Sequence, residues 1–266
     1  MTLFPGVALV TGAASGIGQA TAISFVREGC RKVAIAGQNP AGLAETEQLM
    51  RDLVSTSVAG ELDIVCHTTD VSQEAEIDAL LEKTVRDLGR VDYAVNCAGV
   101  LQKEQSSHET SVEDFDRINS VNYRGCWLSS RAEIKQMLKQ EPLPTHDGRP
   151  GNRGAIVNIA SQLGIVGRPG APAYCASKAA VISLTQCDAI DYSKDNIRVN
   201  CVCPGVIDTP MTRPHMDTYK PAIAIAPMNR PGTAQEIADT VLFLCSSKAT
   251  FCQGMALICD GGYVQN

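Results

Sequence analysis

The sequence predicts an α/β fold built on a parallel, doubly wound sheet with helices on both faces. Two observations carry this. Short apolar runs of strand-forming residues alternate with longer stretches of helical periodicity along the whole chain. The short runs are apolar throughout instead of alternating, as strands buried on both faces are.

The first run is Val7 to Val10, bounded by glycines. A helical stretch follows from Gly16 to Glu28 and stops at Gly29. Lys32 to Ala36 is the second run, and Pro40 opens a helix reaching Val54. Asp63 to His67 is the third. Beyond Val71, Ile77, Leu80, Leu81, Val85 and Leu88 fall at helix spacing up to Gly89. Val91 to Val95, Ala155 to Ile159, Arg198 to Val202 and Met255 to Cys259 complete about seven strands. Glu141 to Arg153, rich in Pro, Gly and Asn, reads as a surface loop. Pro204 to Pro231 holds six prolines and little periodicity, as a lid or binding loop does.

Composition narrows the function classes. Of 266 residues, 44% are hydrophobic and 20% charged, which supplies a core and excludes a disordered chain. The net charge of −6, with no Lys/Arg run, argues against a nucleic-acid partner. No apolar stretch approaches the ~18 residues of a membrane span. Residues 1–10 lack the basic flank and cleavage site of a signal peptide. The eleven cysteines are scattered through apolar segments, which predicts reduced, buried thiols and a cytoplasmic setting. No metal site is expected: Cys201-Val202-Cys203 has no partner pair, and His67, His108, His146 and His215 are isolated.

The turn after the first strand reads Thr11-Gly12-Ala13-Ala14-Ser15-Gly16-Ile17-Gly18. Its glycines allow a tight turn and a close backbone approach to a pyrophosphate. The helix behind it offers free N–H groups and the positive end of its dipole. The spacing resembles the TGxxxGxG of the short-chain dehydrogenase/reductase family. Further marks of that family follow in order. Asn96-Cys97-Ala98-Gly99 stands where the family has NNAG, with Cys97 replacing the second Asn. Asp70-Val71 stands at its adenine contact, and Asn122 follows in Ser120-Val121-Asn122. Ser161 precedes the YxxxK of Tyr174 and Lys178, and Pro204-Gly205-Val206-Ile207-Asp208-Thr209 matches its PG-x-I-x-T.

The resemblance covers nearly the whole chain. It implies one Rossmann-like domain over residues 1–266 with a substrate lid at about 204–231. It also implies an NAD(P)-dependent enzyme that interconverts a ketone and a secondary alcohol, and a homodimer or homotetramer. The pairing helices would be those holding Asn122 to Lys139 and following Tyr174. In this reading Asn122 holds a water leading from Lys178 to solvent, and Lys178 grips the nicotinamide ribose. Two other readings use the same scaffold: a non-redox or cyclising enzyme, and a non-catalytic nucleotide-binding module. The latter could dispense with Tyr174 or Lys178, and this chain keeps both. The 141–153 loop resembles that of fungal members serving secondary metabolism.

Tyr174 and Lys178 are four apart on one helix face. A phenol near pKa 10 needs roughly 4 kcal/mol of preference for phenolate to titrate near 7. One ammonium at ~4 Å and an effective dielectric of ~20 supplies about that. Tyr174 is therefore the expected acid/base, with Ser161 holding the same substrate oxygen.

NADP(H) is favoured over NAD(H). Gly37 occupies the place of the acidic residue that binds a ribose 2′-hydroxyl. Ser15, Gln38 and Asn39 offer neutral donors there. Gln162, Leu163, Val166, Cys203, Met211 and Tyr219 are the expected substrate lining, with His215 read as a solvated loop residue. That lining holds no arginine, which suggests a neutral, mainly apolar small molecule.

Overall fold

The computed structural model describes residues 2–55 and 61–265. Its strands are β1 (Val7–Thr11), β2 (Lys32–Gly37), β3 (Asp63–Thr68), β4 (Tyr93–Asn96), β5 (Gly154–Ile159), β6 (Ile197–Pro204), β7 (Ile207–Asp208), β8 (Gly232–Thr233) and β9 (Ala256–Cys259). Its helices are α1 (Gly16–Arg27), α2 (Pro40–Ser55), α3 (Glu74–Leu88), α4 (Val112–Asn119), α5 (Cys126–Met137), α6 (Pro172–Tyr192), α7 (Met216–Ile225) and α8 (Ala234–Cys245). Seven strands form one parallel sheet in the order β3-β2-β1-β4-β5-β6-β9, and β7 and β8 pair separately. The chain works outward from β1 to β3 and then crosses to β4 on the other side of β1. A crevice therefore opens at the carboxyl ends of β1 and β4.

Successive strand residues face opposite sides of the sheet. Ala8, Val10, Val33 and Ile35 pack with Phe25, Leu43 and Val241 of α1, α2 and α8. Val7, Leu9, Ala34 and Ala36 pack with Ile77, Leu80, Leu128 and Ile134 of α3 and α5. Both faces are covered, so both sets must be apolar.

The observed limits depart from the sequence reading where side chains take over backbone pairing. Strand β4 starts at Tyr93, not Val91. The Gln140 side chain accepts from Val91 N (2.9 Å) and donates to Val91 O (2.8 Å), and the Asp92 carboxylate accepts from Val7 N (2.9 Å). The 141–153 segment contains no helix or strand, as expected. The 204–231 segment is more ordered than its prolines suggest, since it contains α7 with Pro221 inside it. No described helix is long and apolar enough to cross a membrane.

One charge is spent wholly on structure. Arg198, in β6, is buried and donates to the carbonyls of Leu244 (2.6 Å), Cys245 (3.2 Å) and Ser246 (3.1 Å) and to Asn152 Oδ1 (3.0 Å). It thereby satisfies carbonyls that the end of α8 leaves without helical partners. Replacing Arg198 with Met should lower unfolding stability by about 3 kcal/mol in urea titrations.

Candidate active site

The crevice is made by backbones in near contact. Gly12 has φ +66°, and a Cβ on it would stand 2.7 Å from the backbone N of Ala98. A Cβ on Gly18 would stand 2.3 Å from the carbonyl oxygen of Gly12. Thr11 Oγ1 accepts from the N–H groups of Cys97 (3.2 Å) and Ala98 (3.4 Å), tying the turn after β1 to that after β4. Ser15 precedes α1 with its side chain exposed and not capping the helix.

Gly12, Ser15, Gly16, Ile17 and Gly18 line one cleft of about 310 Å³ with Gly37, Gln38 and Asn39 from the end of β2. Gly99, Pro204, Gly205, Ile207, Thr209, Ser161, Tyr174 and Lys178 line the same cleft. A cradle that a Cβ would fill, opening onto the start of α1, fits the pyrophosphate of a dinucleotide.

Four expected cofactor residues lie outside that lining. Asp70 accepts from the N–H (2.9 Å) and hydroxyl (2.8 Å) of Ser72 in the turn before α3. Val71 is buried beside Gly125. Ala98 meets the cleft only as the backbone neighbour of Gly12. Asn96 is turned away from the cleft, contrary to expectation, because strand alternation puts it on the same face as Ala94, the α5 side. There its amide donates to Glu133 Oε2 (3.0 Å), Asn158 Oδ1 (3.0 Å) and Ser130 Oγ (3.3 Å). Glu133 is fully buried, and desolvation pushes its carboxyl up to about 8, opposed by the Asn96 hydrogen bond.

Asn122 sits in a π turn, Ser120–Gly125, between α4 and α5. Its side chain accepts from Val100 N (2.8 Å) and donates to Val100 O (3.1 Å) and Ser177 Oγ (3.2 Å). Beside it, Lys178 Nζ donates to the carbonyl of Ile159 (2.8 Å), and a Cβ on Gly99 would meet both side chains. Lys178 is surrounded by the thiols of Cys126, Cys97, Cys203 and Cys201.

Tyr174 and Ser161 both line the cleft. Burial pushes the Tyr174 phenol above the usual value; the Ser161 hydroxyl and the charge of Arg168 pull it down. The expectation that Lys178 alone brings the phenol near neutrality is not met. The ammonium lies 5.9 Å from the Tyr174 ring centre and is held by Ile159, and desolvation is the larger effect. Burial likewise depresses Lys178.

A second, smaller pocket of about 80 Å³ adjoins the cleft and shares Ser161 and Tyr174 with it. Gln162, Leu163 and Tyr219 line it. Met211 lines the cleft instead. Val166 lines neither, its N–H being held by the carbonyl of Gln162 (3.1 Å). Cys203 is closed inside the β6 core, and His215 is exposed. The sequence reading missed Arg168, Leu101, Gln102 and Tyr263 in this pocket, and its statement that no arginine lines the site is overturned. The one available signal was a cation in the Gly167-Arg168-Pro169-Gly170 turn between Ser161 and Tyr174. A third cavity of about 590 Å³ lies beyond, sharing Gln162, Val206 and Ala222.

The family model described as enoyl-(acyl carrier protein) reductase matches residues 12–264. The chain is 37% identical to the 2-(R)-hydroxypropyl-CoM dehydrogenase of Xanthobacter autotrophicus, covering 97% of this chain and 98% of that one. It is 37% identical to a short-chain dehydrogenase of Neurospora crassa, covering 97% and 96%. It is 35% identical to the 3-oxoacyl-[acyl-carrier-protein] reductase of Thermotoga maritima, covering 99% and 100%. The crystal structure of levodione reductase superimposes with a TM-score of 0.88 at 30% identity, over 98% of this chain and 99% of that one.

Glu133 makes stability pH-dependent in a defined direction. Its carboxyl titrates near its ordinary value of 4.5 in the unfolded chain and at about 8 when folded. Its contribution is therefore complete below pH 4.5 and declines as pH rises to about 8, by about 1.4 kcal/mol per pH unit. Urea titrations at several pH values should show that Glu133→Gln flattens this decline and is relatively most stabilising at pH 8.

Proposed function

The chain belongs to the short-chain dehydrogenase/reductase family and is an NAD(P)-dependent oxidoreductase, and from that premise we propose that it interconverts a ketone and a secondary alcohol with Tyr174 as acid/base. The observation that carries this is the presence of both Tyr174 and Ser161 on the wall shared by the dinucleotide cleft and the small pocket. A carbonyl there meets two hydroxyl donors on one side and the cleft on the other. The names of the Xanthobacter and Thermotoga relatives, a hydroxypropyl dehydrogenase and a 3-oxoacyl reductase, describe alcohol–carbonyl chemistry and support the same reading.

The nicotinamide, when bound, supplies or takes the hydride. The residues of the chain handle the proton. In reduction Tyr174 gives its phenolic proton to the carbonyl oxygen, while Ser161 donates a hydrogen bond to that oxygen. Burial keeps the phenol protonated at neutral pH, the state reduction requires. Lys178 sits where it can hold the ribose, and Asn122 fixes the turn at Val100 beside it.

NADP(H) remains the favoured cofactor. Among the described residues no carboxylate lines the cleft, so none there repels a 2′-phosphate. Asn39 uses its carbonyl oxygen on Gly42 N (3.3 Å), leaving its amide N–H groups for a ligand, with Ser15 and Gln38 alongside.

The chain is read as one domain, with 204–231 closing over a substrate whose body is mainly apolar. Exposed Tyr123, Trp127 and Ile190 on α5, α6 and the π turn support self-association through those helices. The eleven unpaired thiols suit a reducing, cytoplasmic setting.

Two experiments test this. Tyr174→Phe should lower kcat/KM for ketone reduction by about 10²–10⁴ while cofactor affinity, from fluorescence titration, stays within a few-fold. Full turnover in that variant refutes the assignment. At Gly37 a Cβ would stand 3.5 Å from its nearest neighbour, Ala14 Cβ, so a side chain fits. Gly37→Asp should shift the NADPH/NADH affinity ratio towards NADH.

A further inference from the structure

Among the described residues, every arginine but one uses its guanidinium in a hydrogen bond. The exception is Arg168. Its Nε is sealed from solvent and has no partner. Arg168 is half-buried and lines the small pocket with Ser161, Gln162 and Tyr174.

Three acidic groups of the surrounding segments are committed elsewhere. Asp208 pairs with Arg213 and Asp217 with Lys220 (both 2.7 Å), and Asp260 caps Gly262 and Val264 (both 2.8 Å). Glu104 packs its stem against Gly170, two residues along, without pairing with Arg168. What holds the guanidinium is the ring of Tyr219, 5.5 Å away, a contact between the loop after β5 and α7. That contact orients the group and leaves its hydrogen-bonding edge unused.

Withholding a guanidinium N–H from water without a partner is unfavourable. Such an atom in a pocket marks a place for a ligand to complete. A second atom in the same pocket is in the same condition: Gln162 Oε1 is buried and unpartnered.

We propose that Arg168 binds a carboxylate of the substrate, so that the reacting ketone or secondary alcohol is an acid. The planar guanidinium matches a carboxylate through paired N–H groups. The carbonyl stands at Tyr174 and Ser161, and the carboxylate stands across the small pocket at Arg168. Gln162 accepts from a hydroxyl or amide of the same molecule, and the apolar remainder extends into the larger cavity that shares Gln162. This inference rests on the oxidoreductase reading above for the place of the carbonyl.

The test compares methyl ketones bearing a terminal carboxylate, over a range of chain lengths, with their methyl esters. Each is titrated calorimetrically into the cofactor-loaded protein and assayed for NADPH and NADH oxidation. The best acid should bind, and should be reduced with kcat/KM at least about ten-fold above its ester. That acid-to-ester ratio should fall to about one in Arg168→Met and partly recover in Arg168→Lys. It should persist in Glu104→Gln, with thermal melting confirming that the variants are folded. Equal binding of acids and esters by the wild-type protein overturns the inference, and so does a ratio that survives in Arg168→Met. Acids whose binding depends on Arg168 but which never oxidise cofactor would leave the carboxylate subsite standing and sink the oxidoreductase reading instead.

Discussion

The site depends on how closely two backbones approach each other. Strands β1 and β4 are neighbours in the sheet, with Thr11 opposite Asn96, so the turns that follow them leave the sheet side by side. They remain in contact only because Gly12 presents a hydrogen atom to Ala98, and because Gly18 does the same to Gly12 one turn later. A methyl group at either position would separate the start of α1 from the loop after β4. The phosphate cradle and the loop that Asn122 clamps at Val100 are therefore two sides of one contact. The same crossing of the chain brings Ser161, after β5, and Gly205, after β6, to that edge.

Desolvation governs the chemistry at that edge. It raises the phenol of Tyr174 and depresses the ammonium of Lys178 together, because both are shut in by the same strands and helices. Of the thiols around Lys178, Cys97, Cys126 and Cys201 are raised, and Cys203 alone is lowered, by the Cys201 hydrogen bond first and in part by Lys178. Burial holds Cys97 and Cys126 up at about 12, so both remain neutral at physiological pH. Lys178 thus donates to a carbonyl among thiols, and no carboxylate pairs with it among the described residues. A cation kept in that condition favours negative charge arriving from outside, whether on a ribose oxygen or on the phenol as its proton leaves.

The sheet and the cradle were legible in the sequence because their signals are local. Seven apolar runs gave seven strands, and the spacing of Gly12, Gly16 and Gly18 located the crevice. The run limits shifted by one or two residues where a distant side chain intervened, as Gln140 does at Val91. The harder failures were orientational. Asn96 belongs to a motif that reads as cofactor contact, yet strand alternation turns it into a buried network with Glu133. Val166 and Tyr219 looked equivalent as lining, but only α7, hidden among prolines, brings its residue back over the pocket. Arg168 escaped notice for the same reason: a cation in a Gly-Arg-Pro-Gly turn reads as solvated until the ring of Tyr219 is seen behind it.

Charge is segregated in a way that neither composition nor any one motif reveals. The protein carries a net charge of −6, yet among the described residues no aspartate or glutamate lines the dinucleotide cleft or the small pocket beside it. The cations that do line them are Lys178 in the cleft and Arg168 in the small pocket, and Ser161 and Tyr174 belong to both. The cavity beyond does hold acidic groups, but Glu236 is already paired with Arg230 (2.6 Å) and Asp260 caps its own turn. A positive hollow with low-dielectric walls in a negative protein focuses its field on whatever enters. A dinucleotide brings negative charge to the Lys178 side, and the Arg168 side needs its own. A neutral ketone would leave Arg168 uncompensated against a buried phenol, whereas an acid completes the guanidinium and places its carbonyl where Ser161 and Tyr174 converge.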